Sequence, residues 1–242
     1  MVIKAVIFDI GGVVVRSPML AIARYEKENN LPPNYINCII ANIGPNGAFQ
    51  RFERGEISLF PFYKAFSSEL SAPEGKLFGR MMRESTIFDD LVVEAIKRLR
   101  ATGKYRIIAL TNNFSKSEET ITVDAPPGYP IRKELEFLGW QEGAVTSELR
   151  ELFDDFCDSS TYGLRKPDPA FYLLACERNN IKPSEAVFLD DIGYNLKAAK
   201  ELRIKTIQVM IGKSAQALEE LGQLLGLDLT GTKNVSCIKA QL

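Results

Sequence analysis

The sequence predicts an α/β fold in which a doubly wound parallel sheet forms the core and a helical module is inserted into it. Three observations lead to this prediction. Residues 2–8 form an almost unbroken run of β-branched and apolar residues, as in a strand that is buried on both faces of a parallel sheet. Between residues 16 and 100 the pattern is helical, without a further strand of this kind. After residue 100, short apolar runs alternate with helical patterns, which is typical of a parallel sheet.

Local signals place each element along the chain. Ser17 and Pro18 are typical of a helix start, with serine as the N-cap and proline at the first helical position. Further helices follow to about Arg100, with breaks at residues 44–47 and 71–73. The later elements are predicted as a strand over 105–110, an irregular loop over 124–130, a short buried element after residue 151, a helix over 169–179, and strands over 186–189 and 206–210.

These elements divide the chain into two predicted domains. A Rossmann-like core takes residues 1–15 and 101–242, and a helical cap takes residues 16–100. Five phenylalanines in the cap follow a near-helical spacing, and they either line an apolar substrate site or form the core of the cap itself. They are Phe49, Phe52, Phe60, Phe62 and Phe66.

Composition excludes several classes of protein. The formal net charge of the 242 residues is −1, which gives no basis for binding nucleic acid or an anionic membrane surface. No apolar run reaches the length of a transmembrane helix, and the first run lacks the basic residues and cleavage site of a signal peptide, so we expect a cytoplasmic protein. Histidine is absent, which excludes Ser-His-Asp and Cys-His catalysis and histidine-ligated zinc.

Three of the predicted strands end in polar residues. Asp9 follows the first strand, and Thr111 and Asn112 follow the second. Asp190 and Asp191 follow a later one. The carboxyl ends of parallel strands converge on one rim of the sheet, where crowded carboxylates need a cation, and ligands that offer only oxygen favour Mg²⁺. Taken singly, each group also fits a turn or a helix cap; together they indicate phosphoryl transfer.

Lys166 is a candidate for the cationic side chain of such a site. It precedes Pro167, which restricts its backbone, and a helix opens shortly afterwards at Pro169. A lysine held there would neutralise the charge of a phosphate and of the nucleophile together. An isolated lysine is otherwise typical of a solvated surface.

The order of these motifs resembles that of the haloacid dehalogenase-like hydrolase superfamily. The helical insert lies where that superfamily carries its cap. The nucleophile, hydroxyl, lysine and acidic motifs of the superfamily correspond to residues 8–13, 110–112, 166–169 and 188–195. This resemblance implies the same fold and a hydrolase activity.

Within the superfamily, the chain is most similar to the phosphatase domain at the N-terminus of mammalian soluble epoxide hydrolases. The segments 44–47, 54–57 and 187–196 carry this closer similarity. It weakens over residues 115–150, where this chain carries extra residues.

The resemblance implies a nucleophile and a metal site. Asp9 would attack phosphorus and form an aspartyl-phosphate. Mg²⁺ would be held by Asp9, the backbone carbonyl of Gly11 and Asp191. Asp190 would support this metal site or position water.

The resemblance also implies how the phosphate is bound. Thr111 would donate a hydrogen bond through its hydroxyl and Asn112 through its backbone N–H. Lys166 would neutralise charge on Asp9 and on the transferring group. We therefore expect a small phosphorylated metabolite as the partner, no nucleic acid or membrane partner, and leave a homodimer open.

Gly11 departs from the usual pattern of these phosphatases. They usually carry an aspartate at this position, which protonates the leaving alkoxide and then takes a proton from the hydrolytic water. General acid–base catalysis contributes about 10²–10⁴-fold to a rate. An activated leaving group, or water together with a cap carboxylate such as Glu53 or Glu56, would have to replace it.

Three functions therefore stay open at this point. The first is a Mg²⁺-dependent phosphatase of small phosphate esters. The second is a pseudoenzyme or binding protein that has kept the fold and the metal site. The third is a metal-free 2-haloacid dehalogenase, because a halide leaves without a proton, although that chemistry has no use for Asp190 and Asp191.

Overall fold

A central parallel sheet organises the molecule. The computed structural model describes residues 2–71, 76–114, 123–140 and 146–231. Within these residues the strands are β1 (Ala5–Phe8), β2 (Arg106–Thr111), β3 (Asp155–Asp158), β4 (Ala186–Asp190) and β5 (Lys205–Gln208). They form one sheet in the order β3-β2-β1-β4-β5, and every pair is parallel. The predicted parallel α/β fold is confirmed.

Helices surround this sheet, and two short 3₁₀ helices (Gly44–Asn46 and Pro183–Glu185) join them. The described α-helices are α1 (Met19–Glu28), α2 (Tyr35–Ile43), α3 (Ala48–Glu53), α4 (Leu59–Leu70), α5 (Lys76–Glu84), α6 (Asp90–Ala101), α7 (Ile131–Leu138), α8 (Ser147–Glu151), α9 (Ser159–Tyr162), α10 (Pro169–Arg178), α11 (Gly193–Glu201) and α12 (Ser214–Leu225). None of the described helices combines the length and the apolar character needed to cross a membrane.

Apolar clusters cover both faces of the sheet. Along β1, Val6 and Phe8 belong to one buried cluster, whereas Ala5 and Ile7 belong to the other. All four side chains have no exposed surface. Burial on both faces explains why this strand is apolar without alternation. The strand begins at Ala5, where its pairing with β2 and β4 starts, and not at the predicted residue 2, which is 77% exposed.

The strand register brings the carboxyl ends of neighbouring strands to one level. Phe8, the last residue of β1, lies beside Ala109 of β2 and Leu189 of β4. Asp9 and Asp190 come directly after Phe8 and Leu189 in the chain. The two carboxylates therefore share one edge of the sheet.

A third cluster fills the helical module between β1 and β2. It takes side chains from α1 to α5 and is rich in aromatic rings. Phe52 and Phe62 stack with ring centroids 4.4 Å apart. The chain after β2 contributes as well, because Phe114 stacks on Phe52 at 4.7 Å and Trp140 belongs to the same cluster. We call this set the cap cluster.

The described part of residues 115–150 contains two helices that sequence reasoning did not predict, α7 and α8. α7 packs on α5 so closely that a Cβ added to Gly79 would lie 2.0 Å from the Phe137 ring. Part of this segment therefore belongs with the cap cluster. The predicted loop over 124–130 is confirmed as turns and irregular backbone, and residues 115–122 and 141–145 lie outside the described residues.

α6 differs from the other helices between β1 and β2, because it packs on the sheet. Val92, Ile96 and Leu99 lie in the same cluster as Val6 of β1. The cap range of 16–100 stays a prediction as a domain boundary. The packing nevertheless groups its last helix with the core, since the apolar face of α6 is buried there.

Candidate active site

The predicted site residues meet at the carboxyl edge of the sheet. Most of them line one cavity of about 1530 Å³. Those that line it are Asp9, Gly11, Thr111, Asn112, Lys166 and Asp191. Asp190, the last residue of β4, is completely buried beside them.

Lys166 is the centre of the charge network. Its ammonium lies 2.8 Å from Asp9 Oδ1 and 2.7 Å from Asp190 Oδ2, and the side chain is 1% exposed. Burial by itself lowers the pKa of this amine, but the two carboxylates outweigh burial and raise the pKa. Lys166 is therefore a fixed cation between two acids and not a surface residue.

Asn112 holds the backbone of Lys166. Its Oδ1 accepts a hydrogen bond from the Lys166 N–H at 2.8 Å, and its Nδ2 donates one to the Lys166 carbonyl at 3.0 Å. The side chain thus ties the end of β2 to the loop that carries the lysine. The predicted phosphate contact through the Asn112 backbone N–H stays a prediction, as does the one through Thr111, which is buried and lines the cavity.

Asp9 carries an unusually basic carboxylate. Burial raises its pKa from 3.8 to about 8, with Asp190 and Asp191 adding to the rise and Lys166 opposing it. Oδ1 accepts hydrogen bonds from Lys166 and from the Ile10 N–H at 2.7 Å. Both donors contact Oδ1, so Oδ2 is the oxygen that these two donors leave for other chemistry.

Asp190 is held by protein donors on both of its oxygens. Oδ2 contacts Lys166, and Oδ1 accepts a hydrogen bond from the Ile192 N–H at 2.7 Å. Asn195 Nδ2 lies 3.1 and 3.0 Å from Oδ1 and Oδ2. This saturation fits a residue that supports the site better than one that binds a metal directly. Sequence reasoning gave Asn195 no role, although its place in the first turn of α11 aims it back at Asp190.

Asp191 has a hydrogen-bond donor on only one of its two carboxylate oxygens in the described part of the chain. Its Oδ2 accepts a hydrogen bond from the Ser17 hydroxyl at 3.2 Å, and its Oδ1 is buried without a hydrogen-bond partner in the described part of the chain. Burial raises the pKa of Asp191 to about 7; Asp190 adds to the rise, and Lys166 and Ser17 oppose it. A buried oxygen without a partner is rare in proteins and points to an ion or water.

The donor set fits Mg²⁺. Oxygens of Asp9, Asp190 and Asp191 lie within 4.8 Å of one another, and oxygen-only sites of this kind suit a hard divalent cation. Since protein donors occupy Asp190, the two side chains best placed as ligands are Asp9 and Asp191. The Gly11 carbonyl stays the predicted backbone ligand.

Ser17 is a site residue that sequence reasoning treated only as a helix cap. α1 begins at Met19, one residue later than predicted, with Pro18 in the capping position. The Ser17 hydroxyl accepts a hydrogen bond from the Met19 N–H at 3.4 Å and also donates to Asp191. Because Ser17 and Asp191 are far apart in the chain, no local sequence pattern predicts their contact.

Two neighbouring glycines behave differently. Gly12 has a φ of +83°, and a Cβ there would lie 2.1 Å from Asp191 Oδ2, so only glycine lets this carboxylate approach the loop. A Cβ on Gly11 would lie 3.5 Å from Pro18 Cδ, which is an ordinary contact. Lack of room for a Cβ therefore does not explain the glycine at position 11.

Apolar side chains line the other half of the cavity. They include Met19, Ile22, Ile40, Phe49, Met81 and Trp140. Of the five phenylalanines singled out in the sequence, Phe49 lines the cavity. Phe52, Phe62 and Phe66 are buried in the cap cluster, and Phe60 packs against it. The core explanation therefore holds for most of them.

Comparison with known proteins agrees with this geometry. A family model described as haloacid dehalogenase-like hydrolase matches residues 3–203. Acyl-CoA dehydrogenase family member 10 from Mus musculus is 33% identical over 235 residues, which are 93% of this chain and 19% of that protein. Bifunctional epoxide hydrolase 2 from Sus scrofa is 29% identical, over 96% of this chain and 40% of that protein. The chain thus spans less than half the length of these two relatives.

A shorter relative and a solved structure extend the comparison. Glyceraldehyde 3-phosphate phosphatase from Methanocaldococcus jannaschii is 28% identical over 144 residues, 52% of this chain and 60% of that protein. The crystal structure of a haloacid dehalogenase family enzyme from Bacteroides thetaiotaomicron, in complex with magnesium and inorganic phosphate, aligns with a TM-score of 0.56. It covers 87% of this chain and 96% of that chain at 20% identity, which establishes the shared fold.

Proposed function

This chain belongs to the haloacid dehalogenase-like hydrolase family, and we propose that it is a Mg²⁺-dependent phosphatase that forms an aspartyl-phosphate on Asp9. One observation carries the proposal. Lys166 bridges Asp9 and Asp190 beside a third carboxylate, Asp191, which has an oxygen without a partner. This arrangement supports a nucleophile, a fixed cation and an oxygen-only metal site at one edge of the sheet.

The residues divide the chemistry between them. Asp9 Oδ2 attacks phosphorus, a bond forms between that oxygen and phosphorus, and the ester P–O bond breaks. Lys166 neutralises negative charge on Asp9 and on the phosphoryl oxygens, and Thr111 donates its hydroxyl to one of those oxygens. Mg²⁺, bound by Asp9, the Gly11 carbonyl and Asp191, would supply further positive charge for the phosphate.

Water then attacks phosphorus of the aspartyl-phosphate, the bond to Asp9 breaks, and inorganic phosphate leaves with Asp9 regenerated. Both halves need proton transfer, first to the leaving oxygen and then from water. Gly11 has no side chain that can do either.

A pseudoenzyme or binding protein is the second candidate, and Gly11 is the observation that favours it. A site without a proton donor would still bind Mg²⁺ and phosphate, since those contacts do not involve a side chain at position 11. A small phosphorylated metabolite as substrate and a homodimer both stay predictions.

The test is release of inorganic phosphate from a panel of acyl, aryl and alkyl phosphates, with Mg²⁺ and with a chelator. We expect Mg²⁺-dependent release by the wild type and none by Asp9→Asn. Glu148→Gln is the matched control, because Glu148 is an exposed carboxylate that lines the same cavity. Release that survives Asp9→Asn would contradict the mechanism.

Two further outcomes identify the other functions. A wild type that binds inorganic phosphate and Mg²⁺ in calorimetry but hydrolyses none of the esters is a binding protein. Chloride release from 2-chloropropionate without metal would identify a dehalogenase instead.

A further inference from the structure

Only one carboxylate in the described lining of the cavity is buried and has no other role in the proposed mechanism, which makes it the candidate for the missing proton donor. In the described residues, its lining contains four carboxylates: Asp9, Glu53, Glu148 and Asp191. Asp9 and Asp191 already serve as nucleophile and metal ligand, and Glu148 is exposed. Glu53, at the end of α3, is 6% exposed and has no part in the metal site.

The chain fixes Glu53 in place at the contact between cap and core. The Glu53 carbonyl accepts a hydrogen bond from the Ser159 hydroxyl at 2.5 Å. Two residues on, Gly55 has a φ of +70°, and a Cβ there would lie 3.1 Å from the Ser160 carbonyl. The turn that follows α3 therefore packs closely on α9 of the core. This contact fixes the backbone of Glu53, whose side chain lines the cavity.

Arg165 connects Glu53 to the catalytic lysine. Its Nε and Nη2 lie 2.8 and 2.7 Å from Glu53 Oε2, and Arg165 precedes Lys166 in the chain. Because both contacts go to Oε2, Glu53 Oε1 lies outside this ion pair. The Lys166 ammonium, which contacts Asp9, also acts on the charge of Glu53, so the lysine interacts electrostatically with both carboxylates.

We propose that Glu53, a residue of the cap, is the acid–base catalyst that Gly11 fails to supply, and that the substrate is an ester of an ordinary, non-activated alcohol. As Asp9 Oδ2 bonds to phosphorus and the ester P–O bond breaks, Oε1–H of Glu53 gives its proton to the leaving oxygen, and the alcohol departs. In the second half, the Glu53 carboxylate takes a proton from the water that attacks the aspartyl-phosphate. The inference rests on the proposed function.

The surroundings of Glu53 suit both halves of this cycle. Burial raises the pKa of its carboxyl above the ordinary value, which favours the protonated form. Arg165 opposes that rise most strongly among the neighbouring cations, followed by Lys166 and Arg54, and the same cations stabilise the carboxylate after it has given up the proton. A group with opposed influences of this kind can both donate and accept.

Glu56 provides the contrast. It lies three residues further along, about half exposed, with its carboxylate bound by Arg54 and Arg51. Its hydrogen bond to Arg54 lowers its pKa, so it holds no proton to give at neutral pH. Glu56→Gln is therefore a matched control that removes a carboxylate from the same turn.

The experiment compares an activated ester with a non-activated one. We expect Glu53→Gln to lower kcat/KM for butyl phosphate by about 10²–10⁴-fold, and to change kcat/KM for 4-nitrophenyl phosphate far less, since nitrophenolate leaves without a proton. In the pH profile of kcat/KM for butyl phosphate, the fall at high pH that reports loss of the proton from the acid should be absent in Glu53→Gln. Glu56→Gln should match the wild type on both esters.

Gly11→Asp provides the rescue. A Cβ at position 11 would meet only an ordinary contact, and an aspartate there would restore the proton donor at its usual place. We expect Gly11→Asp to recover butyl phosphate turnover in the Glu53→Gln background. If Glu53→Gln fails to fold, Arg165→Gln tests the idea separately, because loss of this cation should move the acid limb of the profile to higher pH.

Several outcomes would overturn the inference. Equal loss on both esters in Glu53→Gln would assign Glu53 a structural role between cap and core. A wild type that hydrolyses only 4-nitrophenyl phosphate would show that no acid acts. Failure of the proposed function looks different, because neither ester would then release phosphate or the activity would survive Asp9→Asn.

Discussion

The carboxyl edge of the sheet and the cap cluster are buried regions built on opposite principles. At the edge, the Lys166 ammonium lies within hydrogen-bond distance of both Asp9 and Asp190, and these contacts depend on charge. In the cap cluster, stability comes from stacked rings such as Phe52 on Phe62. The edge thus brings buried charges together, whereas the cap cluster supplies apolar packing.

Substitutions in these two regions are therefore expected to have different consequences. Burying a network of charged groups costs desolvation free energy, and the attraction between the charges offsets that cost only while every partner is present. When a side chain in an aromatic cluster is shortened, the free energy of unfolding falls with the volume of the cavity that is left. The ion pair of Glu53 and Arg165 lies between the two regions, since Glu53 ends α3 of the helical module and Arg165 precedes Lys166.

The largest effect is expected from Lys166→Met. Removing one partner from a buried charge network costs about 3–5 kcal/mol, and here it leaves Asp9 and Asp190 to repel each other. Phosphatase activity should be abolished and Tm should fall sharply in thermal unfolding. Lys197→Met, at an exposed position of α11, is the control and should leave both unchanged. A stable, active Lys166→Met protein would contradict the role of the network.

Phe52→Ala should damage stability without removing any catalytic group. Loss of a buried phenylalanine ring costs about 3–5 kcal/mol, and this ring stacks on both Phe62 and Phe114. Denaturant unfolding measures the loss. Phe60→Ala is the comparison, because that ring packs only at the border of the cap cluster, and it should cost distinctly less. Equal costs would mean that the stack is not the centre of the cap.

Mg²⁺ should stabilise the carboxyl edge alone. A ligand that binds only the folded state at a concentration 100 times its Kd adds about 2.7 kcal/mol to the free energy of unfolding. We expect a rise of Tm with Mg²⁺ in the wild type and none in Asp191→Asn, which removes the carboxylate with the unpartnered oxygen. An equal rise in both proteins would place the cation elsewhere.

The metal-free protein should lose stability as pH rises. The folded-state pKa values of Asp9 and Asp191, about 8 and 7, lie above the ordinary value of 3.8. The folded state therefore keeps protons that the unfolded chain has already released, and this contribution to stability disappears as pH rises towards 8. Unfolding in chelator at pH 5 and pH 8 measures the difference, which Asp9→Asn should reduce. Greater stability at pH 8 than at pH 5 would contradict it.

The smallest effects on stability are expected from alanine substitutions at Gly11 and Gly12, which should differ from each other. Gly11→Ala should change the free energy of unfolding by no more than about 1 kcal/mol, since its Cβ meets only an ordinary contact. Gly12→Ala should cost more than about 1–2 kcal/mol, because it forces a left-handed backbone and displaces Asp191. It should also abolish the Mg²⁺ effect on Tm. Two variants of equal stability would contradict the close approach of Asp191 to the loop.

Much of the fold was predictable because local sequence and burial agree there. The unbroken apolar run that contains Ala5–Phe8 predicted a strand buried on both faces, and the structure has it at the centre of the sheet. α7 and α8 were missed, since they follow a stretch rich in proline and glycine that gave no clear helical period. α6 was assigned to the cap by chain order, although its apolar face fits the sheet.

The sequence by itself determined the kind of chemistry. Histidine is absent, Asp9, Thr111 and Asp191 follow predicted strands, and Lys166 precedes a proline ahead of a helix. These residues pointed to carboxylates, a lysine and Mg²⁺, because residue types fix which atoms can act. Only the tertiary structure decided which oxygens are in use. The saturation of Asp190, the contact of Ser17 with Asp191 and the pairing of Glu53 with Arg165 join residues far apart in the chain, and such contacts depend on packing that no local pattern records.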